Sequence, residues 1–197
     1  PLLASAPVEL VTNVDMGNAD ACRSAFKGLS RLFLVPPNTQ NRVAQCTVAL
    51  EAAKAAGVSS VVVLSVLGAA EEKTVFTKEF RAIERVAESL AFTHCAFLRA
   101  ATFMDNFLVA AASIVDAGRF FGSHGDGKFP IVSLADVGRV AAAVLMEPQE
   151  FAGRAVDVTG PLAHSGPECA GVLSRVLGRT IKYVDVPPES MLDTLLG

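Results

Sequence analysis

An α/β fold built on a doubly wound parallel sheet is the architecture this sequence predicts, and three observations predict it. Strand-like and helix-like segments alternate as far as Arg99, the rhythm of successive strand–helix units. One strand-like run, SSVVVLS at residues 59–65, is apolar on both faces, as an inner strand covered by helices on each side has to be. The chain has 197 residues, 51% of them hydrophobic, which suffices for a real core and excludes a disordered polymer.

Taken in order, VELVTNV (8–14) reads as a first strand, followed by the polar turn DMGN and a short helix, ADACRSAFKG. LFLV (32–35) is a buried strand stopped by Pro36 and Pro37, since proline cannot continue the ladder. A helix over 41–56 puts Val43, Cys46, Thr47 and Leu50 on one face and ends at Gly57 as its C-cap. Residues 74–90 form the next helix, with an apolar stripe of Phe76, Phe80, Ile83, Val86 and Ala87, and THCAFLR (93–99) is the following strand. This makes three strand–helix units in tandem leading into a fourth strand.

Beyond Arg99 the rhythm changes. A helix near 105–117 leads into a glycine-rich loop, a short extended piece (FPIVS) and an amphipathic helix within LADVGRVAAAVLMEP, with Val137, Val140, Ala141, Val144 and Leu145 inward. RAVDVTG and TIKYVDVP read as two more strands, with the helix GPECAGVLSRVLG between them. The expected division is a core at 1–103 and a smaller α/β lobe at 104–197, packed intimately on it and not an independent domain. No internal repeat or low-complexity linker interrupts the chain.

Several function classes are excluded early. The net charge of −3, with lysine and arginine scattered, disfavours nucleic acid and anionic membrane as partners. No apolar run reaches the ~18–20 residues of a membrane-spanning helix. The first residues lack the basic and apolar regions of a secretory signal. Cys22, Cys46, Cys95 and Cys169 lie far apart, with neither a CxxC pair nor a histidine at metal-ligand spacing, so reduced buried thiols in a cytoplasmic protein are expected and no metal.

GSHGDGKFP (122–130) superficially matches a phosphate-binding loop, but the match fails on chemistry. Phe129 stands where a metal-reaching hydroxyl is needed, Pro130 removes an amide donor, and a strand-like segment follows instead of a helix. A rim loop beside a pocket is the better reading. Nucleotide chemistry is expected instead at the carboxyl ends of the strands, where open parallel sheets bind ligands. Candidate cofactor-binding residues there are Asp15 and Met16, Pro36, Pro37 and Asn38, Ser65 and Val66, and Thr102. The proline pair offers a flat apolar surface, and Ser65 offers a hydroxyl at a strand tip.

The ordered series VELVTNVDMGNADACRSAFKGLSRLFLVPP, AAKAAGVSSVVVLSVLGA, FRAIERVAESLAFTHCAFLRAATFMDNF and the segment from SLADVGRV to YVDVP resembles the NmrA-like family, atypical members of the short-chain dehydrogenase/reductase superfamily. The likeness covers essentially the whole chain. It implies a Rossmann-like fold that binds NADP or NAD, with the smaller lobe closing the pocket. The family's opening strand, GxxGxxG turn and helix, which hold the pyrophosphate, have no counterpart in this sequence, so the first βαβ portion is missing and the phosphate anchor lies outside these residues.

Relatives that transfer hydride generally use a Tyr-x-x-x-Lys pair, in which the lysine lowers the tyrosine pKa. The sole tyrosine, Tyr183, lies in the wrong segment for this, and catalytic residues are left unassigned. Phe80 stands where many relatives carry lysine or histidine, Lys78 reads as a solvated side chain, and Arg99 is expected to pair with Asp136 or Glu84. The resemblance thus implies either an NAD(P)H-dependent reductase, acting on a small carbonyl or a quinone, or a redox sensor. The alternative is a non-catalytic structural or interaction protein with a degenerate Rossmann fold. An unpaired sheet edge at 8–14 favours a protein partner or a homo-oligomer.

Overall fold

The structure is a computed structural model that describes residue 9, residues 11–187 and residue 189. In chain order its regular elements begin with α1 (Ala19–Phe26), β1 (Arg31–Leu34), α2 (Arg42–Ala55), β2 (Ser60–Val66), α3 (Val75–Ser89) and β3 (His94–Ala100). There follow β4 (Thr102–Phe103), a 3-10 segment (Met104–Ala110), α4 (Ala111–Ala117), β5 (Arg119–Gly122), β6 (Phe129–Val132) and α5 (Leu134–Met146). The last elements are α6 (Pro148–Phe151), β7 (Ala155–Val158), β8 (Ala163–His164), α7 (Gly166–Leu177) and β9 (Lys182–Asp185). They fall into two compact units: residues up to Arg99 with Val140–Val156, and Ala100–Arg139 with the residues from Asp157 onward.

The first unit is organised by a sheet in the order β1-β2-β3-β7. β1 and β2 run parallel, with Arg31 opposite Ser60 and Leu34 opposite Val63. Val61, Val62 and Val63 are all buried, so both faces of β2 are covered, as its unbroken apolar run requires. α2 contributes Cys46, Ala49, Leu50 and Ala53 to the core, and α3 contributes Ile83 and Ala87. The start of α3 is set by Thr74, whose hydroxyl accepts the Thr77 amide while the Thr77 hydroxyl accepts the Thr74 amide, a reciprocal cap. Asn18 caps α1 by accepting the amides of Asp20 and Ala21.

The expected strand at 8–14 is not found. Glu9 and residues 11–14 carry no regular structure, and Val8 and Leu10 lie outside the described residues. Among the described residues no strand pairs with this segment, so its backbone groups have no ladder to satisfy them. The expected helix at 105–117 also differs: a 3-10 segment occupies 104–110 and only Ala111–Ala117 is α-helical.

The second unit holds two small sheets. One has the order β4-β6-β8, with β4 and β6 parallel and β6 and β8 antiparallel. In the other, β5 and β9 pair in parallel, placing Phe120 beside Tyr183 and Gly122 beside Asp185. Ile114, Phe120, Cys169, Ala170 and Ile181 form its core.

All four cysteines are free thiols. Burial pushes Cys46 and Cys95 up to about 12. Only the thiolate reacts quickly with alkylating reagents. Iodoacetamide at mildly alkaline pH is therefore expected to leave both thiols unlabelled in the native protein and to label both after unfolding in urea, read by mass spectrometry of peptides. Rapid native labelling at either position contradicts the burial.

Candidate functional site

The parallel register brings the carboxyl ends of β1 and β2 to one edge. Because Leu34 lies opposite Val63, Pro36, Pro37 and Asn38 leave that edge beside Ser65 and Val66. Pro36, Pro37 and Val66 are half-buried, and Asn38 is exposed. Asn38 is held by Arg42 at the start of α2: its Oδ1 accepts from Arg42 Nη2 at 3.1 Å. The Arg42 side chain is largely buried, donates to the Thr39 carbonyl, pairs with Glu79 at 3.4 Å and lies over the Phe76 and Phe80 rings at 4.9 and 5.5 Å. Lys78 is exposed, as the sequence suggests.

Three of the sequence-derived candidates sit differently from expectation. Asp15 and Met16 follow an irregular segment and not a strand; the Asp15 carboxylate accepts the Gly17 amide at 2.8 Å, and Met16 packs on the core of the first unit. The Ser65 hydroxyl, expected to face a ligand, donates to Glu84 Oε1 at 2.6 Å inside the protein. Thr102 belongs to the second unit, where it opens β4 and is exposed.

Glu84 is fully buried. Arg99 Nε donates to its Oε1 at 3.0 Å, Arg99 Nη2 to its Oε2 at 2.7 Å, and Arg81 Nη1 to Oε2 at 2.9 Å. The expected pairing of Arg99 with Glu84 is present. Asp136 pairs with Arg139. Burial pushes the Glu84 pKa up, but the hydrogen bonds from Arg99 and Ser65 and the Arg99 charge outweigh it, and the carboxyl is held below its ordinary value.

The second unit contains a hollow of about 160 Å³ that the sequence reading did not locate. It is lined by Thr102, Phe103, Asn106, Phe107, Ala110, Phe120, Phe121, Gly122, His124, Phe129, Gly166 and Tyr183. Phe107 meets Phe120 edge to face at 5.3 Å, and Phe120 lies 5.5 Å from Tyr183. The 122–130 loop is indeed a rim: His124 stacks obliquely on Phe129, and Lys128 donates to Glu168 at 2.6 Å. Lys128 and the Ser165 amide draw the Glu168 carboxyl down to about 2.

Tyr183, set aside on sequence as misplaced for a Tyr-x-x-x-Lys pair, is thus a wall of this hollow. Its hydroxyl donates to Asp185 Oδ1 at 2.7 Å and accepts the His124 amide at 3.1 Å. Two glycines make room for its ring: a Cβ at Gly166 or Gly122 would lie only 2.6 or 2.8 Å from ring carbons. No single-segment motif marks this arrangement, because its parts come from β5, the 122–130 loop, the start of α7 and β9. The two aromatic-bearing strand segments, RFFG and KYVD, are the only local trace of it.

A profile of the NmrA-like family matches residues 2–196. The chain belongs to the NmrA-like family. The NAD(P)H azoreductase of Xenophilus azovorans is 32% identical over 177 residues, covering 88% of this chain and 60% of that protein. Quinone oxidoreductase 2 of Escherichia coli K12 is 28% identical over 174 residues, covering 88% and 60%. Among solved structures, an Escherichia coli NADPH-dependent quinone oxidoreductase complexed with NADPH superposes with a TM-score of 0.79 at 27% identity, covering 88% of this chain and 61% of that one. This NmrA-like chain has the Rossmann-type α/β fold of those structures and spans about 60% of the length of the curated relatives it matches.

Two outcomes are expected from these contacts. Replacing Glu84 by Gln leaves two guanidinium groups without their carboxylate and should destabilise the protein by roughly 3 kcal/mol at neutral pH in urea unfolding. Because the native Glu84 pKa lies below the ordinary value, its stabilisation is complete above about pH 5 and is lost as pH falls through the native pKa, so wild type and E84Q should converge in acid. A gap that stays constant or widens in acid contradicts this. Desolvation raises the Tyr183 pKa, the His124 amide opposes it, and the Asp185 carboxylate adds to it. Phenolate absorbance should therefore titrate at lower pH in Asp185→Asn than in wild type; an upward or absent shift refutes the assignment.

Proposed function

We propose that this chain carries the dinucleotide-binding edge and the acceptor pocket of an NAD(P)H-dependent, reductase-type protein acting on a quinone or small carbonyl. The observation that supports it best is the parallel β1/β2 register, which gathers Pro36, Pro37, Asn38, Ser65 and Val66 at the carboxyl ends of the strands, where open α/β sheets take nucleotides. The azoreductase and the quinone oxidoreductase named above use NAD(P)H or NADPH by their descriptions, which favours the same cofactor here.

The proline pair and Val66 offer half-buried apolar surface for a flat ring. Arg42 occupies the Asn38 carbonyl oxygen and so turns the Asn38 amide donors away from itself, toward a ligand at the edge. Ser65, buried and bonded through its proton to Glu84, shapes the edge from within and offers a ligand no donor. Asp15 and Met16 complete the proposed set on the first unit, and Thr102, on the second, is proposed for the cofactor from the wall of the hollow. NAD(P)H, when bound, supplies a hydride. The aromatic hollow of the second unit would exclude water from an apolar acceptor.

A second reading, a redox sensor without catalysis, is favoured by one observation: the Tyr183 hydroxyl donates to Asp185 and so is not aimed as an acid at a bound carbonyl.

With no GxxGxxG turn in the sequence, this chain by itself should bind NADPH weakly, on the order of millimolar, or about −4 kcal/mol. Thermal shift at several millimolar NADPH should show stabilisation in wild type. Asn38→Asp, which sets a carboxylate against the dinucleotide, should remove it. Absence of any shift in wild type, or an equal shift in N38D, defeats the cofactor assignment. NADPH consumption with added 1,4-naphthoquinone supports the reductase; NADPH binding without consumption supports the sensor.

A further inference from the structure

Tyr183 and Asp185 share β9, and both reach across to the 122–130 loop. The Tyr183 hydroxyl accepts the His124 amide, and Asp185 Oδ1 receives both the Tyr183 hydroxyl and the Gly125 amide, the latter at 2.8 Å. One carboxylate oxygen therefore ties the phenol and the loop together. Such bonds to a charged acceptor are about twice as strong as neutral ones. The Tyr183 ring is also fixed from the side, since Gly122 and Gly166 leave it a slot that no Cβ could enter. Gly125 adopts a φ of +53°, so the loop turns there in a conformation glycine tolerates and other residues disfavour.

We propose that the Tyr183–Asp185 pair is the specificity-determining element of this pocket: by clamping the 122–130 loop as its rim, it sets the largest ring system that can enter. The proposal rests on the reading of the hollow as the acceptor pocket. His124, which lines the hollow, moves with the rim, whereas Phe120 belongs to the core of the unit and Phe107 and Phe129, the latter on β6, pack against it. Releasing the clamp widens the pocket from the loop side and leaves the inner wall in place. Tyr183 and Asp185 act as positioning residues and do not exchange protons with the acceptor.

The test uses the full chain and two probes of different size, 1,4-naphthoquinone and 9,10-anthraquinone-2-sulfonate, with dissociation constants from equilibrium dialysis. Because Tyr183 is the sole tyrosine and the sequence has no tryptophan, quenching of tyrosine emission checks independently, in wild type, that a probe reaches this pocket. Wild type should favour the smaller quinone. Asp185→Asn and Tyr183→Phe should each narrow that preference by about tenfold, the order of one charge-assisted hydrogen bond. The double variant should narrow it no further, because both changes undo one clamp. Asp185→Glu should restore part of the preference. Exchange of the His124 and Gly125 amides should quicken in both single variants.

A merely structural role would weaken both probes equally. An unchanged ratio in variants that keep their far-ultraviolet dichroism overturns the proposal, as does a wild type that binds neither quinone or shows no preference. Should D185N fail to fold, Y183F, which removes one oxygen, decides by the same ratio. NADPH is titrated in parallel. A size preference without NADPH binding sinks the reductase reading and leaves the clamp standing; NADPH binding without size preference does the reverse.

Discussion

The first unit is organised around one buried carboxylate. Glu84 on α3 has no water to solvate it, and an uncompensated charge in that position would be prohibitive. It is tolerated because Ser65 at the end of β2, Arg99 near the end of β3 and Arg81 one turn earlier on α3 all donate to it. Three elements therefore meet at one side chain, and none can slide without breaking a hydrogen bond to the buried charge. The placing of Ser65 and Val66 relative to the helix above them follows from that constraint. So does the loss of Ser65 as a free donor: a hydroxyl that looks like a ligand contact on sequence is part of the framework.

The second unit solves a different problem. Its hollow is walled by aromatic rings whose packing is edge to face or tilted, the geometry that ring quadrupoles prefer. Space for Tyr183 is created by subtraction, through Gly122 and Gly166. Substituting either glycine would fill the slot from the backbone side, so the two positions belong to the pocket as much as the rings do.

What was legible in the sequence depended on whether the signal was local. β2 was legible because Val61, Val62 and Val63, buried on alternating faces, leave an unbroken apolar run. α3 was legible because Phe80, Ile83 and Ala87 recur at helical spacing. The family was legible because the whole order of segments carries it. The failures were non-local. Residues 8–14 have the composition of a strand, but a strand exists only where a neighbour accepts its hydrogen bonds. The Ser65–Glu84 bond joins residues 19 positions apart and leaves no mark on either segment. The hollow escaped notice because its wall is a pairing between β5 and β9, and His124 and Tyr183 lie 59 positions apart.

That separation also has a kinetic side. Contacts between distant segments form only after the intervening chain has been ordered, and they are slow to close. During synthesis the first unit's strands β1 to β3 and their helices emerge early, while the hollow has no far wall until Lys182–Asp185 has left the ribosome. The aromatic face of β5 therefore stays uncovered until late in the growing polypeptide, and the interval before β9 arrives is when a nascent copy is prone to stick to a neighbour through it.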